Sequence, residues 1–312
     1  MSKSVYNSLD KKEVISRGAK IANRLNSKYS LGFVMPKERI ARREFLKQLF
    51  DLNDGVFDEK YEEASTGSGK PFKDFDALHS SALCALLSFY NIKDLIIDGI
   101  HYDKAFFEVQ NRVIKGRNPS NMDVVLVSKD NSTILFLECK FSEYISNKKQ
   151  EVSNDYLTNC SLSKSLYDLL VSKELATIEP IKDEAKFAFK TKEAYSQGTK
   201  QVISHLVGIE SFINRGKDYS DSFAFYSEKD QRRSLYKTKF KNIIFREVLF
   251  ELEGYEKKLK NYISLSEKVR TLFIESGLIQ NISFEPAITY QEIFAGDDKN
   301  NVGEVVKKYY KY

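Results

Sequence analysis

The chain has 312 residues, 42% of them hydrophobic and 30% charged, which is enough apolar material for a sizeable core and excludes a disordered chain. A net charge of +5 permits a polyanionic partner without requiring one. Cys84, Cys139 and Cys160 form no Cys-x-x-Cys pair, which argues against a disulfide framework or a zinc knuckle.

The first residues lack the apolar centre of a signal peptide, and no stretch approaches the roughly 20 apolar residues of a membrane span. A soluble protein of the reducing cytoplasm, with no membrane partner, is therefore expected.

Residues 11–50 read as helical, with Ile40, Leu46, Leu49 and Phe50 at helix-like intervals. Residues 51–71 are polar and contain glycine, the signature of a loop or linker. Within them Gly67-Ser68-Gly69-Lys70 suggests a phosphate-binding loop, but position 64 is Ala64 and position 71 is Pro71 where that motif needs Gly and Ser or Thr. Residues 76–90 predict an apolar helix with Leu78, Ala82, Leu86 and Phe89 on one stripe and Asn91 as its stop. His79 reads as a polar residue near the start of that helix.

The period then changes. Residues 105–114, 123–127 and 133–140 are short and rich in β-branched and aromatic side chains, and the turn-forming runs Gly116-Arg117-Asn118-Pro119 and Lys129-Asp130-Asn131-Ser132 separate them. They predict a three-stranded meander, apolar enough to be covered on both faces. A polar insertion follows, then a helix over 195–213 with Val202, Leu206, Ile209 and Ile213 on its buried face. Gln201, His205 and Gly208 form an adjoining polar and small stripe. The last third predicts a strand near 243–252, a charged helix near 255–276, a strand near 283–289 and a short helix around 290–294. Residues 307–312, basic and aromatic, read as a frayed tail.

Chemistry concentrates in the meander. A hairpin turning at Asp130-Asn131 sets Asp123 directly opposite Glu138, with Cβ atoms about 5 Å apart. Glu138 and Lys140, two apart on one strand, share a face, while Cys139 points into the core. Two carboxylates so close repel unless a cation stands between them. Magnesium, held by one or two carboxylates with water and substrate phosphate, suits that role. A metal beside a lysine suits phosphodiester hydrolysis, the lysine orienting water and adding positive charge. On geometry alone, a salt-bridged surface hairpin explains the same residues. Other acidic-x-Lys strings, Asp58/Lys60, Glu184/Lys186, Glu256/Lys258 and Asp297/Lys299, lie in polar or helical segments, and only Glu138/Lys140 closes an apolar strand.

Asp123, an apolar strand and Glu138-Cys139-Lys140 resemble the Asp…Glu-x-Lys core of the PD-(D/E)xK, or restriction-endonuclease-like, nucleases. The flanks resemble a bacterial branch of that superfamily: His79-Ser80-Ser81 before the sheet, Phe141-Ser142-Glu143 after the motif, and Gln201 with His205-Leu206 on a later helix. The likeness spans residues 72–213 and, more loosely, Ile288-Thr289-Tyr290-Gln291-Glu292. Met122 stands where the motif's proline would be, as in many members.

The resemblance implies an α/β fold with a central mixed β-sheet of about four to five strands flanked by helices. Helical N- and C-terminal extensions complete it, with residues 1–70 as a helical region and linker and 71–312 as the nuclease domain. It implies Asp123 and Glu138 as metal ligands, completed by the Cys139 carbonyl, and Lys140 as the catalytic lysine. Glu108 is the candidate for an additional acid and Gln201 for a residue reaching in from its helix. An exposed strand carboxylate and a solvated glutamine are the equally good ordinary readings of these two, and Glu143 is a weaker candidate. The metal would be Mg2+, with Mn2+ substituting. The substrate would be DNA, double-stranded, contacted through Arg112, Lys115, Arg117, Lys148 and Lys149, or through Arg232, Arg233, Lys237 and Lys239. Two chains could pair as a homodimer to cut both strands. The implied activity is a restriction-type endonuclease, with a repair nuclease or a DNA-binding module lacking catalysis as alternatives. His101 and His205 show no zinc-ligand spacing, and no Gly-x-Ser-x-Gly elbow is present.

Overall fold

A computed structural model of the protein describes residues 43, 44, 46, 47, 52, 55–65, 81–114, 117–181, 185–215, 226–252 and 254–295. Most of the helical stretch expected over 11–50 lies outside the described residues. So do Gly67 to Lys70, His79, Ser80, Lys115, Gly116 and the tail 307–312.

The expected meander forms. Strands β1 (Leu95–Ile97), β2 (Ile100–Asn111), β3 (Ser120–Ser128) and β4 (Thr133–Lys140) run antiparallel in sequence order. β4 is buried along its whole length, which is why it is apolar at both alternating sets of positions. The chain returns much later as β8 (Asn242–Leu249), which pairs parallel with β4 from Thr133↔Asn242 to Lys140↔Leu249. Two short parallel strands, β9 (Ser283–Phe284) and β10 (Ile288–Thr289), add to β8. The fold is thus α/β with a mixed central sheet of seven strands, more than the four or five expected. β1 has three residues, too short to carry a periodic signal, and the one strand expected near 283–289 is split into the two-residue strands β9 and β10.

Between β4 and β8 the polar insertion is structured rather than open. It builds a second sheet in the order β5-β7-β6 from β5 (Gln150–Ser153), β6 (Ala176–Pro180) and β7 (Lys186–Thr191), together with helices α3 (Asp155–Thr158) and α4 (Ser161–Ser172). Phe189 and Tyr167 close its core edge to face at 5.2 Å. Its strands have one wet face, so most of their residues are polar and read as loop.

The 51–71 stretch expected as a loop contains helix α1 (Gly55–Ser65). Phe57, Tyr61 and Ala64 recur at helical spacing and are buried. The charged residues that obscured this pattern are themselves buried: Lys60 Nζ lies 2.7 Å from Glu63 Oε1, and Glu63 Oε2 accepts the Phe107 amide at 3.1 Å. α1 is thereby fastened to β2 one residue before Glu108.

Helix α2 (Ser81–Phe89) packs on β3 and β4 from the face that Cys139 occupies, and every residue from Leu83 onward in it is buried. α5 (Ser196–Ile213) and α7 (Glu256–Glu275) cover the opposite face. Among the described residues two further short helices are α6 (Arg233–Lys237) and α8 (Tyr290–Ile293), the latter held by a capping box between Thr289 and Glu292. α5 carries the expected buried stripe, but its Gln201, His205 and Gly208 stripe also turns inward. The helix lies between the main sheet and the small one and so has little wet surface.

Candidate active site

The hairpin register is the expected one. Val124↔Leu137, Val125↔Phe136, Leu126↔Leu135 and Val127↔Ile134 pair about the turn, where Asn131 takes φ +57 and Asp130 Oδ1 collects the Ser128 and Ser132 hydroxyls. Asp123 and Glu138 are the residues one step beyond the last pair, Val124↔Leu137. The ladder stops at that pair, and the amide of Cys139 donates to Asp123 Oδ2 at 2.7 Å. The carbonyl and amide of one strand residue project to the same side, so the Cys139 carbonyl also faces Asp123.

Glu108 occupies the matching position on β2, between the pairs Phe107↔Val124 and Val109↔Met122. It is buried, and its backbone takes φ +49, a left-handed conformation that costs a non-glycine residue on the order of 1–2 kcal/mol. α1 and Arg232 hold it there. The Arg232 guanidinium donates to the Phe107 carbonyl at 3.0 Å, and Asn121 donates to Glu108 Oε2 at 3.1 Å. Glu138 stands beside Glu247 on the parallel strand β8. Four acidic residues, Glu108, Asp123, Glu138 and Glu247, therefore form one row across four neighbouring strands.

Each acid is handled differently. Glu138 is 1% exposed, and burial alone would raise its pKa. The Lys140 ammonium on Oε1 and His205 beside Oε2 outweigh burial and hold it down to about 2. Asp123 is half-buried, and desolvation followed by the Glu138 charge raises its pKa well above the usual range. Glu108 is pushed up to about 7, first by desolvation and then by Glu138, against the Asn121 hydrogen bond. Glu247 is raised by burial while the Tyr262 and Ser266 hydroxyls donate to it, Ser266 at 2.5 Å. Lys140 is buried too, yet the neighbouring Glu138 and Asp123 charges overcome that desolvation and keep it protonated.

Among the described residues, no group of three or more His, Cys, Asp and Glu side chains is placed as a ready-made metal cage. The donor set still fits one hard divalent ion. Asp123, Glu138 and the Cys139 carbonyl are oxygen donors, the kind magnesium takes in small number alongside water. Glu138 Oε2 is fully buried and, although His205 Nε2 is 2.6 Å away, the approach is too bent for a well-formed hydrogen bond. A carboxylate offers about four lone-pair sites, so Lys140 and His205 do not exhaust it.

Of the residues singled out in the sequence, Asp123, Glu138, Lys140 and Glu108 come together, and the Cys139 thiol points away, toward Tyr290. Gln201 lies on α5 one turn before His205, its Oε1 buried without a partner. Glu143 turns back to accept the Phe141 and Ser142 amides, so it caps the end of β4. Arg232 is buried and paired with Asp230, which removes it from any surface that could meet phosphate. Arg117 pairs with Asp155 and Lys149 with Glu179. Glu247, His205 and Ser120 were not legible as site residues. They reach the row through a strand more than a hundred residues away and through a helix face, and neither leaves a short-range spacing. Comparison with family models, curated proteins and solved structures gives no match to this chain.

Proposed function

We propose that the protein is a magnesium-dependent nuclease of the PD-(D/E)xK type that hydrolyses DNA phosphodiester bonds, with Asp123, Glu138 and Lys140 as its working residues. One observation carries the reading. Two carboxylates on adjacent strands lie one step beyond the last paired residues of the hairpin, and Lys140 stands on the same face in contact with one of them.

In this reading Asp123, Glu138 and the Cys139 carbonyl hold the metal, which when bound lowers the pKa of a water and offsets charge on the phosphoryl oxygens. Lys140 stays protonated, so it acts as a hydrogen-bond donor and fixed charge toward the scissile phosphate and does not abstract a proton. Glu108, with its pKa near neutrality, is the member of the row suited to accept the proton of an attacking water. The net charge of +5 favours a polyanionic substrate. The β3–β4 ladder ends at Val124↔Leu137, just before the half-buried Asp123, which supports entry of substrate from that side.

Incubation of the protein with supercoiled plasmid and Mg2+ tests this. Nicked or linear products that vanish with EDTA are expected. Intact plasmid in Mg2+ and in Mn2+, with the DNA bound, would instead favour a binding module that keeps the fold without catalysis.

A further inference from the structure

We infer that His205, anchored by Ser120, is a positioning residue that sets the Glu138 carboxylate for metal binding. This deepens the nuclease reading and rests on its assignment of Glu138 as a ligand. His205 Nδ1 lies 2.5 Å from the Ser120 hydroxyl, and Nε2 makes its bent approach to Glu138 Oε2 at 2.6 Å, closer than two atoms without a proton between them would stand. All three side chains are buried. The carboxylate can only accept, so Nε2 carries the ring proton; with that single proton, Nδ1 accepts from Ser120. The hydroxyl thus fixes both the tautomer and the tilt of the ring, and the ring in turn limits where Oε2 can go. Phe245 packs against the imidazole with ring centroids 6.0 Å apart, which restricts its rotation further.

The backbone is arranged to allow this reach. A Cβ on Gly208 would stand 3.0 Å from Asn111 Cβ and 3.2 Å from Ser120 Cβ, so glycine lets α5 press onto the ends of β2 and β3. One turn earlier in the helix, that close approach brings His205 to both Ser120 and Glu138. The inward-facing stripe of Gln201, His205 and Gly208 thereby acquires a role that core packing alone does not need, because a leucine at 205 would fill the space without a buried polar chain.

Calorimetric titration of Mn2+ alone into the wild-type chain, His205→Ala, His205→Gln and Ser120→Ala tests the inference, with a thermal melt of each to establish folding. Residues that orient a ligand typically carry about 10-fold or more in metal affinity. His205→Ala should weaken Mn2+ binding by that factor and Ser120→Ala by less. His205→Gln, whose amide can still donate to Glu138, should recover most of the loss. Wild-type affinity in a folded His205→Ala overturns the inference, as does an equal loss in the Gln variant. If His205→Ala does not fold, Ser120→Ala decides, and unchanged affinity there overturns it. Failure of the nuclease reading looks different: wild type itself then binds no Mn2+, and both ideas fall.

Discussion

Glu138 on β4 and Glu247 on β8 are side by side in a parallel register, equally buried, and their pKa values are shifted in opposite directions. Glu138 touches the Lys140 ammonium and the His205 ring and is held down to a pKa of about 2. Glu247 receives two hydroxyl hydrogen bonds from α7, and burial raises its pKa. The difference lies first in Lys140 on β4, where β8 has Leu249, and then in the helix each acid faces.

The two acids should therefore respond differently to the same change. Glu247→Gln keeps acceptor and shape, and cleavage and melting temperature should stay close to wild type. Glu138→Gln removes the charge a cation needs. Metal charge stabilisation is worth several kcal/mol, so cleavage should fall on the order of 10²-fold or more. Single-turnover rates on one oligonucleotide substrate compare the two.

Lys140 is both part of the chemistry and part of the fold. Breaking a buried ion pair from one side costs about 3–5 kcal/mol, because the partner charge is left uncompensated. Lys140→Ala should lower stability by an amount of that order in urea denaturation. In the fraction that remains folded, cleavage should be abolished while DNA binding persists.

Glu108 predicts how stability depends on pH without metal. Its folded pKa of about 7 lies above the ordinary value of 4.5. The protonated acid therefore fits the fold better. Its contribution is complete below about pH 4.5 and is lost as pH rises through about 7, roughly 3 kcal/mol in all. Asp123, also raised, acts in the same direction. Glu138 is lowered, so its contribution fades only in acid, toward about pH 2. In EDTA the melting temperature should fall from pH 5 to pH 8. The slope should be shallower in Glu108→Gln, and Mg2+ should restore the loss at pH 8.

Gly198 opens α5 beneath the Tyr262 hydroxyl that serves Glu247, and a Cβ at this position would collide with that hydroxyl and with the Tyr195 ring. Gly198→Ala should destabilise by about 1–3 kcal/mol, the cost of overpacking, despite alanine's better helix propensity. Chemical denaturation measures it. An equal or higher stability would mean that Tyr262 can leave Glu247 at no cost.

The parts of this molecule that were readable in the sequence are the local ones. The turn at Asp130-Asn131 fixed which β3 residue faces which β4 residue, because hairpin register follows from turn geometry. Cys139 pointing to the core followed from strand alternation. The partners of the acid row were not readable. Glu247 arrives through a parallel pairing closed over a long loop, and Ser120 and His205 meet only because Gly208 lets a helix approach. Helix α1 was hidden because its inner face spends two positions on a Lys60–Glu63 pair, which reads as solvent-facing. The small sheet was hidden because its half-wet strands contain few apolar residues in a row.

The most direct test is the position of a bound metal. Crystals grown or soaked with Mn2+ should show an anomalous peak at about 2.0–2.2 Å from carboxylate oxygens of both Asp123 and Glu138, with Lys140 adjacent. A Mn2+ ion found elsewhere, or none at concentrations where the protein cleaves DNA, would contradict the shared site.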